Sequence, residues 1–475
     1  MENIFGRKKE QETLKNCLES HEAELIAVYG RRRVGKTFLV RNYCNDNFDF
    51  YATGIYEGTK KEQLAVFHKH LCDYSKTPYP TVDNWFDAFD QLKHYISTLD
   101  KEKIIIFLDE LPWFDTARSR FLKAFELFWN SYASARPNIK LIICGSATTW
   151  MISNIFGSKS GLYNRVTRKI KLSMFNLYET ETYLKSRGIT WNRYQISEAY
   201  MIFGGVPYYL KMLQKGRSLP QNIDDIMFSE NAELKDEYKF LFRSLFKDST
   251  LYEKIIGLLE TKSNGLTRGE IIKSLNINDG GSLTKVLNDL CDCDFVRKYT
   301  PFEKKERDAI FQLTDFFTLF HHKFIADGKH NDEHLWTNMV DSPERRVWSG
   351  YAFEQLCLHH ISQIKNKLGI SGVLTDTFSW YCPKSDEYDG GQIDLVIDRR
   401  DQVINLCEMK YSINEYTITK KYSDEMIDRM ELFRMKTKTK KALHLTMVTT
   451  YGLKTNAYSS AIQNDVTLDD LFIDC

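Results

Sequence analysis

A glycine-rich stretch near the N-terminus has the residue types and the spacing that bind phosphates. The stretch "GRRRVGKT", Gly30 to Thr37, fits the pattern G-x-x-x-x-G-K-S/T, and it lies between the apolar run "LIAVYG" and the helical pattern "FLVRNYC". In such a strand–loop–helix context, backbone N–H groups close around phosphate oxygens, Lys36 contacts the β- and γ-phosphates, and Thr37 holds Mg²⁺. We therefore expect ATP and Mg²⁺ to bind here, through Gly30, Arg31, Arg32, Arg33, Val34, Gly35, Lys36 and Thr37.

Two further apolar runs end in polar residues that suit hydrolysis of the bound nucleotide. "KIIIFLDE" places Asp109 and Glu110 at the carboxyl end of a predicted buried strand, where open α/β sheets bind ligands. Asp109 would coordinate Mg²⁺ through water, and Glu110 would be the base that activates the attacking water. "KLIICGS" brings Ser146 to the same edge, where its hydroxyl would sense the γ-phosphate or the water. A salt-bridging acidic pair and a serine that caps the next segment are the alternatives.

Residues 1–320 resemble the archaeal-type ATPases of the AAA/STAND group of P-loop proteins. The resemblance lies in "IFGRKKEQETL", "GRRRVGKT", "IIIFLDELPWF", "LIICGSATTWM", "GLYNRVTRKIKLSMF" and "GGVPYYL". It implies that Gly6 and Arg7 lie near the adenine, that Pro207 belongs to a lid over the base, and that Arg165 senses or stabilises the γ-phosphate. This chain has Asn164 where the family usually has a glycine before that arginine. A structural salt bridge is the alternative role of Arg165.

A second group of charged residues lies near the C-terminus, in "GGQIDLVIDRRDQVINLCEMK". If Arg400 to Gln402 form a three-residue hairpin loop, Asp394 falls opposite Glu408, and opposed Cβ atoms are about 4.5–5.5 Å apart on one face. Lys410 shares the face of Glu408 because alternate strand residues point the same way. A hard cation such as Mg²⁺ would relieve the repulsion between the two carboxylates, and the lysine would stabilise a charged transition state. A two-residue loop would shift the register and separate the three side chains.

A preceding helical pattern, "GYAFEQLCLHHISQI", supplies Glu354 as a further acid at the edge of an apolar stripe. The order Glu354, Asp394, Glu408-x-Lys410 resembles the PD-(D/E)xK nuclease superfamily, and "WSGYAFEQLC" with the hairpin resembles the C-terminal region found with archaeal-type ATPases. Ile393 stands where that superfamily often has proline before the aspartate. The resemblance implies catalysis by Glu354, Asp394, Glu408 and Lys410. A nuclease fold whose charges only recognise DNA or protein is the alternative.

The elements that must position these residues divide the chain into four predicted domains. Apolar strands that alternate with helices indicate an α/β P-loop NTPase with a parallel sheet in residues 1–175. A helical lid is predicted for 176–246. Residues 247–320 read as a winged helix-turn-helix that starts its second helix with a capping box of Thr267 and Glu270. An α/β restriction-endonuclease-like domain is expected for 321–475.

The winged module either binds DNA or packs within the chain. Winged helices usually place their third helix in the major groove. Here that helix, "SLTKVLNDLCDCDF", carries Asp289, Asp292 and Asp294 against a single base, Lys285, which is a poor face for phosphates.

Composition restricts the location and the partners of the chain. With 475 residues, of which 65 are basic and 64 acidic, the net charge of +1 excludes attraction to nucleic acid by the molecule as a whole, so DNA would need local patches. The charged N-terminus is no signal peptide, and the scattered cysteines predict reduced thiols in a cytoplasmic protein. The longest uncharged stretch, Leu141 to Ser158, contains glycine, serine and asparagine, so it predicts a strand and a loop without a membrane span.

The sequence thus predicts an ATP-hydrolysing protein coupled to a metal-dependent nuclease-like domain that acts on or binds DNA. The alternative is an ATP-driven switch whose C-terminal domain binds DNA or a partner without cleaving. No membrane partner is expected, and assembly into a homo-oligomer stays open.

Overall fold

The computed structural model describes residues 3–246, 248–326 and 332–474. These residues form two compact units. The first contains the described residues of Met1–Met174 and of Arg243–Lys247, and the second those of Phe175–Phe242 and Asp248–Cys475. The four predicted domains remain predictions, because this division into two units does not separate the lid, the winged module and the C-terminal region from one another.

The first unit alternates strands with helices, as the sequence predicts. Its elements are α1 (Lys8–Glu19), β1 (Glu24–Tyr29), α2 (Lys36–Tyr43), β2 (Phe50–Thr53), α3 (Lys60–Ser75), α4 (Trp85–Ser97), β3 (Ile104–Asp109), α5 (Leu111–Phe114), α6 (Phe121–Ser131), β4 (Ile139–Gly145), α7 (Thr148–Met151) and β5 (Arg168–Lys171). The strands form one sheet in the order β2-β3-β4-β1-β5, and every neighbouring pair is parallel. The predicted parallel-sheet α/β fold of this unit is therefore confirmed.

Helices cover both faces of this sheet, which explains why its central strands are continuous apolar runs. On one face, Leu25 of β1 and Leu141 of β4 belong to a core that contains aromatic side chains of α3, α4 and α6, namely Phe67, Phe89 and Phe125. On the other face, Ile26 and Ile142 pack against α1 and α2. Alternate residues of one strand thus enter opposite cores, and the strand ends that carry the polar residues are held from both sides.

The stretch after β4 differs from its prediction. We expected a loop after the strand, but Thr148–Met151 form the helix α7, and helical turns continue through Phe156. The reason is the four-residue spacing of Met151 and Ile155, which buries both side chains on one helical face. In the part of the chain that the structure describes, no helix is both long enough and apolar enough to cross a lipid bilayer.

The second unit begins with helices and continues into a small sheet. The helices are α8 (Leu177–Ser186), α9 (Arg193–Phe203), α10 (Pro207–Leu210), α11 (Leu219–Ile223) and α12 (Glu237–Leu245), of which the residues from Arg243 onward are assigned to the first unit. The following elements are α13 (Thr250–Glu260), β6 (Leu266–Thr267), α14 (Arg268–Leu275), α15 (Gly281–Asp292), β7 (Val296–Tyr299) and β8 (Ile310–Leu313). The three strands form an antiparallel sheet in the order β6-β8-β7. The predicted capping box is present, because Thr267 and Glu270 bond to each other's backbone N–H groups at the start of α14.

A separate mixed sheet forms the C-terminal part of the second unit. Four helices precede it: α16 (Phe316–Phe324), α17 (Leu335–Asn338), α18 (Pro343–His359) and α19 (Ile361–Lys367). The remaining elements are β9 (Thr375–Cys382), β10 (Gly391–Arg399), β11 (Val403–Lys410), α20 (Lys420–Thr437), β12 (Ala442–Thr449) and β13 (Asn464–Thr467). The sheet order is β13-β12-β11-β10-β9. β9, β10 and β11 are antiparallel neighbours, whereas β11, β12 and β13 run parallel.

Buried polar contacts fix α18, the helix that carries Glu354, to the helices at the start of the second unit. The backbone N–H of Leu177 donates to His360 Nε2 over 3.0 Å. Glu198 of α9 and Arg345 of α18 form an ion pair in which both side chains are buried. Separating a buried ion pair leaves each charge buried without a partner, which is unfavourable. We therefore expect α8, α9 and α18 to behave as one rigid group.

Candidate functional site

The glycine-rich loop between β1 and α2 has a backbone that only certain residues can adopt. Gly30 has φ 146°, and a Cβ atom at this position would lie 2.2 Å from the backbone oxygen of Leu172. Arg33 has φ 72°, in the left-handed region. Successive N–H groups in such a loop, which leads into the N-terminus of a helix, form a concave site for an anion. The loop that the sequence predicts to bind phosphates therefore has a geometry that suits them.

Lys36, Thr37 and Asp109 come together beneath this loop. Lys36 is buried, and its Nζ donates to the backbone oxygen of Arg31 over 2.8 Å. Thr37 Oγ1 lies 2.9 and 3.1 Å from the two carboxylate oxygens of Asp109. Burial, and then the negative charge of Glu110, raise the pKa of Asp109, while hydrogen bonds from Thr37 and Cys144 oppose the rise. A hydroxyl and a carboxylate in contact are hard oxygen ligands, so this donor set fits Mg²⁺.

Glu110 is held in place by Ser146. Glu110 lies directly after β3 with φ 46°. Its Oε2 accepts the backbone N–H of Ser146 over 3.0 Å and the hydroxyl of Ser146 over 2.7 Å. β4 lies between β1 and β3, so its carboxyl end carries Ser146 to the gap between the loop and the acidic pair. Ser146 thus orients the predicted base, a role that the sequence did not indicate.

The predicted adenine-side residues contact the protein itself. Gly6 has φ 62° and precedes Arg7, which has φ 56° and is the N-cap residue of α1. The buried guanidinium of Arg7 donates to the backbone oxygens of Val34 and Ser173. Arg7 therefore stabilises the glycine-rich loop through its hydrogen bond to Val34. Its predicted place near the adenine stays a prediction.

The other loop arginines and the two remaining predicted residues lie in different environments. Arg31 is buried against Met174, and Arg32 is partly exposed. Arg165 is exposed before β5, and among the described residues it forms no salt bridge. Pro207 is the first residue of α10 in the second unit. The roles of Arg165 at the γ-phosphate and of Pro207 in a lid stay predictions.

The C-terminal hairpin has the register that brings its charged residues together. Arg399 ends β10 and Val403 begins β11, so the loop has the three residues that we expected. Leu395 pairs with Cys407 and Val396 with Leu406; one step further along the same register, Asp394 lies opposite Glu408. Lys410 Nζ lies 3.9 Å from Glu408 Oε2.

Two residues of α20 that the sequence analysis missed hold Glu408. Arg429 Nη1 lies 2.6 Å from Glu408 Oε1, and the Tyr422 hydroxyl donates to Oε2 over 3.0 Å. Glu408 is only 6% exposed, so these contacts replace most of its hydration. Tyr422, Met426, Arg429 and Phe433 follow helical spacing, and an arginine within an apolar helical stripe was the signal that a buried acid faces it.

Glu354 reaches the same group of charges from α18. Burial raises the pKa of Glu354, and the negative charges of Asp394 and Glu408 add to the rise while Lys410 opposes it. The pKa of Asp394 is also raised, first by burial and then by Glu408. The structure thus places Glu354, Asp394, Glu408 and Lys410 within electrostatic reach of one another. Carboxylates that repel each other in this way suit a divalent cation.

The carboxyl group of Glu408 is, however, already paired with a cation of the protein. Among the described residues, no three or more histidine, cysteine, aspartate or glutamate side chains are grouped as a ready metal site. The oxygen donors of Asp394, Glu354 and Glu408 fit a hard cation by their chemistry. Because Arg429 occupies Oε1 of Glu408, a bound cation would have to compete with it.

Comparison with known proteins gives a family for the first part of the chain. Residues 4–213 match the model of an ATPase domain predominantly from Archaea. An uncharacterized protein of Methanocaldococcus jannaschii is 24% identical over 428 residues, which cover 89% of this chain and 90% of that protein.

Solved structures also resemble part of the chain. A Walker-type ATPase of Pyrococcus abyssi is 18% identical with a TM-score of 0.49, over 67% of this chain and 96% of its own. The ORC2 protein of Aeropyrum pernix, in complexes with ADPNP and ADP, is 13% identical with a TM-score of 0.43, over 67% and 93%. The match of residues 4–213 to an ATPase domain of the archaeal type agrees with the parallel sheet and its glycine-rich loop.

Proposed function

We propose that this protein hydrolyses ATP with Mg²⁺ at Gly30–Thr37, and that its C-terminal region is a metal-dependent nuclease-like module that acts on or binds DNA. The observation that carries the first half is the contact of Thr37 with Asp109 beside a buried Lys36. The observation that carries the second half is the hairpin register that sets Asp394 opposite Glu408, with Lys410 Nζ 3.9 Å from the Glu408 carboxylate.

At the ATP site, each residue has a role that follows from its position. Lys36 would exchange its bond to the loop carbonyl of Arg31 for one to the β- and γ-phosphates, where it is a charged donor to an anion. Thr37 and Asp109 would hold Mg²⁺, which neutralises phosphate charge. Glu110 would orient and deprotonate the attacking water, and the two hydrogen bonds from Ser146 keep its carboxylate aimed.

At the C-terminal site, Asp394 and Glu408 would hold a divalent cation, with Glu354 as a further acid. Such a cation polarises a phosphodiester and lowers the pKa of bound water. Lys410, partly exposed and beside Glu408, would stabilise the negative charge that develops on the phosphoryl oxygens. The sheet supports this proposal because β10 and β11 are neighbours in the register that unites the side chains.

The three helices and the small antiparallel sheet of residues 250–313 support the proposed winged helix-turn-helix. The element order α13, β6, α14, α15, β7 and β8 agrees with it. The acidic residues of α15 argue less strongly against DNA contact than the sequence indicated. Asp289, one of them, is buried and accepts a hydrogen bond from the Tyr252 hydroxyl over 2.6 Å. Its charge therefore does not face an approaching phosphate.

The alternative is an ATP-driven switch whose C-terminal module binds DNA or a partner without cleaving it. The pairing of Glu408 with Arg429 favours this alternative, because a permanent internal cation satisfies the carboxylate without a metal. The two functions differ in what Asp394, Glu408 and Lys410 do, and they share the ATP site.

Metal-binding and cleavage assays on three variants separate the two functions. Asp394→Asn and Glu408→Gln should each lose most affinity for Mn²⁺, since each removes a charged oxygen ligand. Lys410→Ala should keep the metal and lose cleavage, because its role is in the transition state. Wild-type protein that binds no Mg²⁺ or Mn²⁺ in this region, and cleaves no nucleic acid with or without ATP, would leave the non-cleaving switch as the function.

A further inference from the structure

A cleft in the second unit is lined by two of the proposed nuclease acids and by basic residues. Its volume is about 570 Å³. The lining includes Glu354 of α18 and Asp394 of β10, together with Arg297 of β7 and, from the connection between β7 and β8, Lys304, Arg307 and the acid Asp308. The cleft therefore joins the small antiparallel sheet to the mixed sheet at the place where the acids converge.

A pair of hydrogen bonds links the small antiparallel sheet to the mixed sheet beside the cleft. The side-chain amides of Asn264, which precedes β6, and Gln392 of β10 exchange hydrogen bonds of 3.1 and 3.3 Å. Phe302, between β7 and β8, also packs against Phe378 of β9 and Phe433 of α20, with ring centroids 5.3 Å apart in both contacts. The connection between β7 and β8 is thus fixed against β9, β10 and α20, and the width of the cleft is set by the fold.

Arg297 is a cleft residue with a buried hydrogen-bond donor that has no acceptor. Its Nη2 donates to Gln312 Oε1 over 2.5 Å, and its guanidinium lies 5.0 Å from the centroid of the Tyr299 ring. Its Nε is buried and makes no hydrogen bond, and burial lowers the pKa of the guanidinium.

No carboxylate lies within ion-pair distance of Arg297 in the described part of the chain. A desolvated guanidinium without a counter-charge is unfavourable, and it pairs best with the oxygens of a phosphate or a carboxylate. In a cleft that also contains Glu354 and Asp394, a phosphate of a bound strand is the anion that would complete it.

Exposed aromatic surface lies beside this charge. Tyr381 lines the same cleft and is 66% exposed. Basic groups that follow a backbone, combined with aromatic side chains on which bases stack, are the combination that binds unpaired nucleic-acid strands. A paired base offers no free face for such stacking.

The size of the cleft distinguishes a single strand from a duplex. A volume of about 570 Å³ falls in the range of roughly 300–1,000 Å³ that encloses a small-molecule ligand. Double-stranded DNA is far larger, since its major groove alone is about 12 Å wide. A cleft of this size suits one flexible strand better than an intact duplex.

We propose that the cleft takes a single-stranded nucleic acid, with Arg297 bound to a phosphate and Tyr381 stacked on a base, next to Glu354 and Asp394. The proposal rests on the nuclease-like function above and names its substrate class. Arg297 and Tyr381 are positioning residues, because they hold the strand and do not take part in cleavage.

Binding without cleavage tests this proposal directly. The anisotropy of a short labelled DNA strand, and of the matching duplex, is measured in EDTA with the full-length protein. The single strand should bind more tightly than the duplex. Arg297→Met and Tyr381→Ala should each weaken single-strand binding by about tenfold or more, since each removes a charged hydrogen bond or a stacking contact. Arg268→Met is the matched control, because that arginine is paired with Asp279 outside the cleft.

A melting curve of each variant separates a binding role from a structural one. Arg297→Met should melt no lower than the wild type, because it removes a buried charge that has no carboxylate partner. A lower melting temperature of Arg297→Met, together with unchanged binding by Tyr381→Ala, would make Arg297 a structural residue and overturn the proposal. Equal binding of duplex and single strand by the wild type would overturn it as well.

Cleavage assays distinguish failure of this proposal from failure of the nuclease-like function. Cleavage of duplex DNA with Mn²⁺ that Arg297→Met leaves unchanged would contradict the single-strand cleft while the nuclease function stands. Single-strand binding that depends on Arg297, without cleavage under any metal or nucleotide condition, would support the cleft and contradict the nuclease.

Discussion

Lys36 is the residue on which nucleotide binding depends most directly. It is buried beneath the glycine-rich loop and donates to the backbone oxygen of Arg31, so its charge is already directed at the phosphate position. Lys36→Ala should weaken ATP binding by at least about tenfold, because a charge-assisted contact to the phosphates is lost. Equilibrium binding of a fluorescent ATP analogue measures this. Arg41→Ala is the control on the same helix, since Arg41 pairs with Asp46 at the surface. Equal affinity of Lys36→Ala and wild type would refute the site.

Glu110 and Ser146 should affect turnover and not binding. Glu110→Gln keeps the shape of the side chain and removes the base, so the rate constant for hydrolysis should fall by about 10²-fold or more. Ser146→Ala removes the 2.7 Å hydrogen bond that orients Glu110 and should lower the rate less. Steady-state release of phosphate, with ATP affinity measured in parallel, checks both. A Glu110→Gln protein that hydrolyses ATP at the wild-type rate would show that another residue is the base.

Substitution of Arg429 tests whether a metal ion can replace this arginine as the partner of Glu408. Arg429→Met leaves a buried carboxylate without the guanidinium 2.6 Å away, so the protein should melt at a lower temperature. Mn²⁺ should then raise the melting temperature of this variant more than that of the wild type, because a ligand that binds only the folded state stabilises it. Arg434→Met, on the same helix, is the control. Equal effects of Mn²⁺ on Arg429→Met and wild type would contradict a metal site at Glu408.

The sequence predicts some residues of the two sites and misses others. The glycine-rich loop has a fixed spacing of residues that are adjacent in sequence, so its geometry follows from local rules. The partners that complete each site come from distant elements. Ser146, which follows β4, donates a hydrogen bond to Glu110, which follows β3. Arg429, 21 residues after Glu408 in the chain, pairs with it from α20. Such contacts depend on tertiary packing, which neither spacing nor hydropathy contains.

At the scale of elements, the turn at "GGVP" requires a glycine, and substitution can test this requirement. Gly205 has φ 67°, and a Cβ atom there would lie 2.2 Å from the backbone oxygen of Phe175. Gly216 has φ 80° with no atom within 4 Å of the corresponding position. Gly205→Ala should therefore destabilise the protein by about 2 kcal/mol more than Gly216→Ala, because both share the strain of positive φ but only the first clashes.

Denaturant unfolding of the two glycine variants measures this difference. The comparison isolates the close approach of two backbone segments, since the substituted residue type and the sign of φ are the same. If Gly205→Ala and Gly216→Ala were equally stable, the segment before α8 would not lie against this turn.

The elements themselves were predictable where their pattern is local. The three apolar runs became β1, β3 and β4, and the hairpin loop has the expected three residues. β6, with two residues, and β13, with four, were not predicted. A strand this short has too few residues for alternation to be visible, and it forms because a neighbouring strand offers hydrogen bonds.

At the scale of the whole molecule, the two proposed sites belong to two different compact units. The ATP site belongs to the first unit, and Asp394, Glu408 and Lys410 to the second. Asp394→Asn, Glu408→Gln and Lys410→Ala should therefore leave the rate of ATP hydrolysis unchanged, because none of these residues belongs to the unit that carries the ATP site, and sites without shared partners contribute independently unless a conformational change couples them. The ATPase rate of the three proteins without nucleic acid is the measurement. A large loss in all three would mean that the C-terminal site is part of the ATPase machinery.

The central claim, ATP hydrolysis coupled to a metal-dependent nuclease-like module, is tested most directly by one cleavage assay. Wild-type protein, Asp394→Asn and Lys36→Ala are incubated with single-stranded and duplex DNA in Mg²⁺ or Mn²⁺, with and without ATP. The wild type should cleave, Asp394→Asn should not cleave under any condition, and Lys36→Ala should no longer respond to ATP. Cleavage by Asp394→Asn equal to that of the wild type, or no cleavage by any of the three proteins, would contradict it.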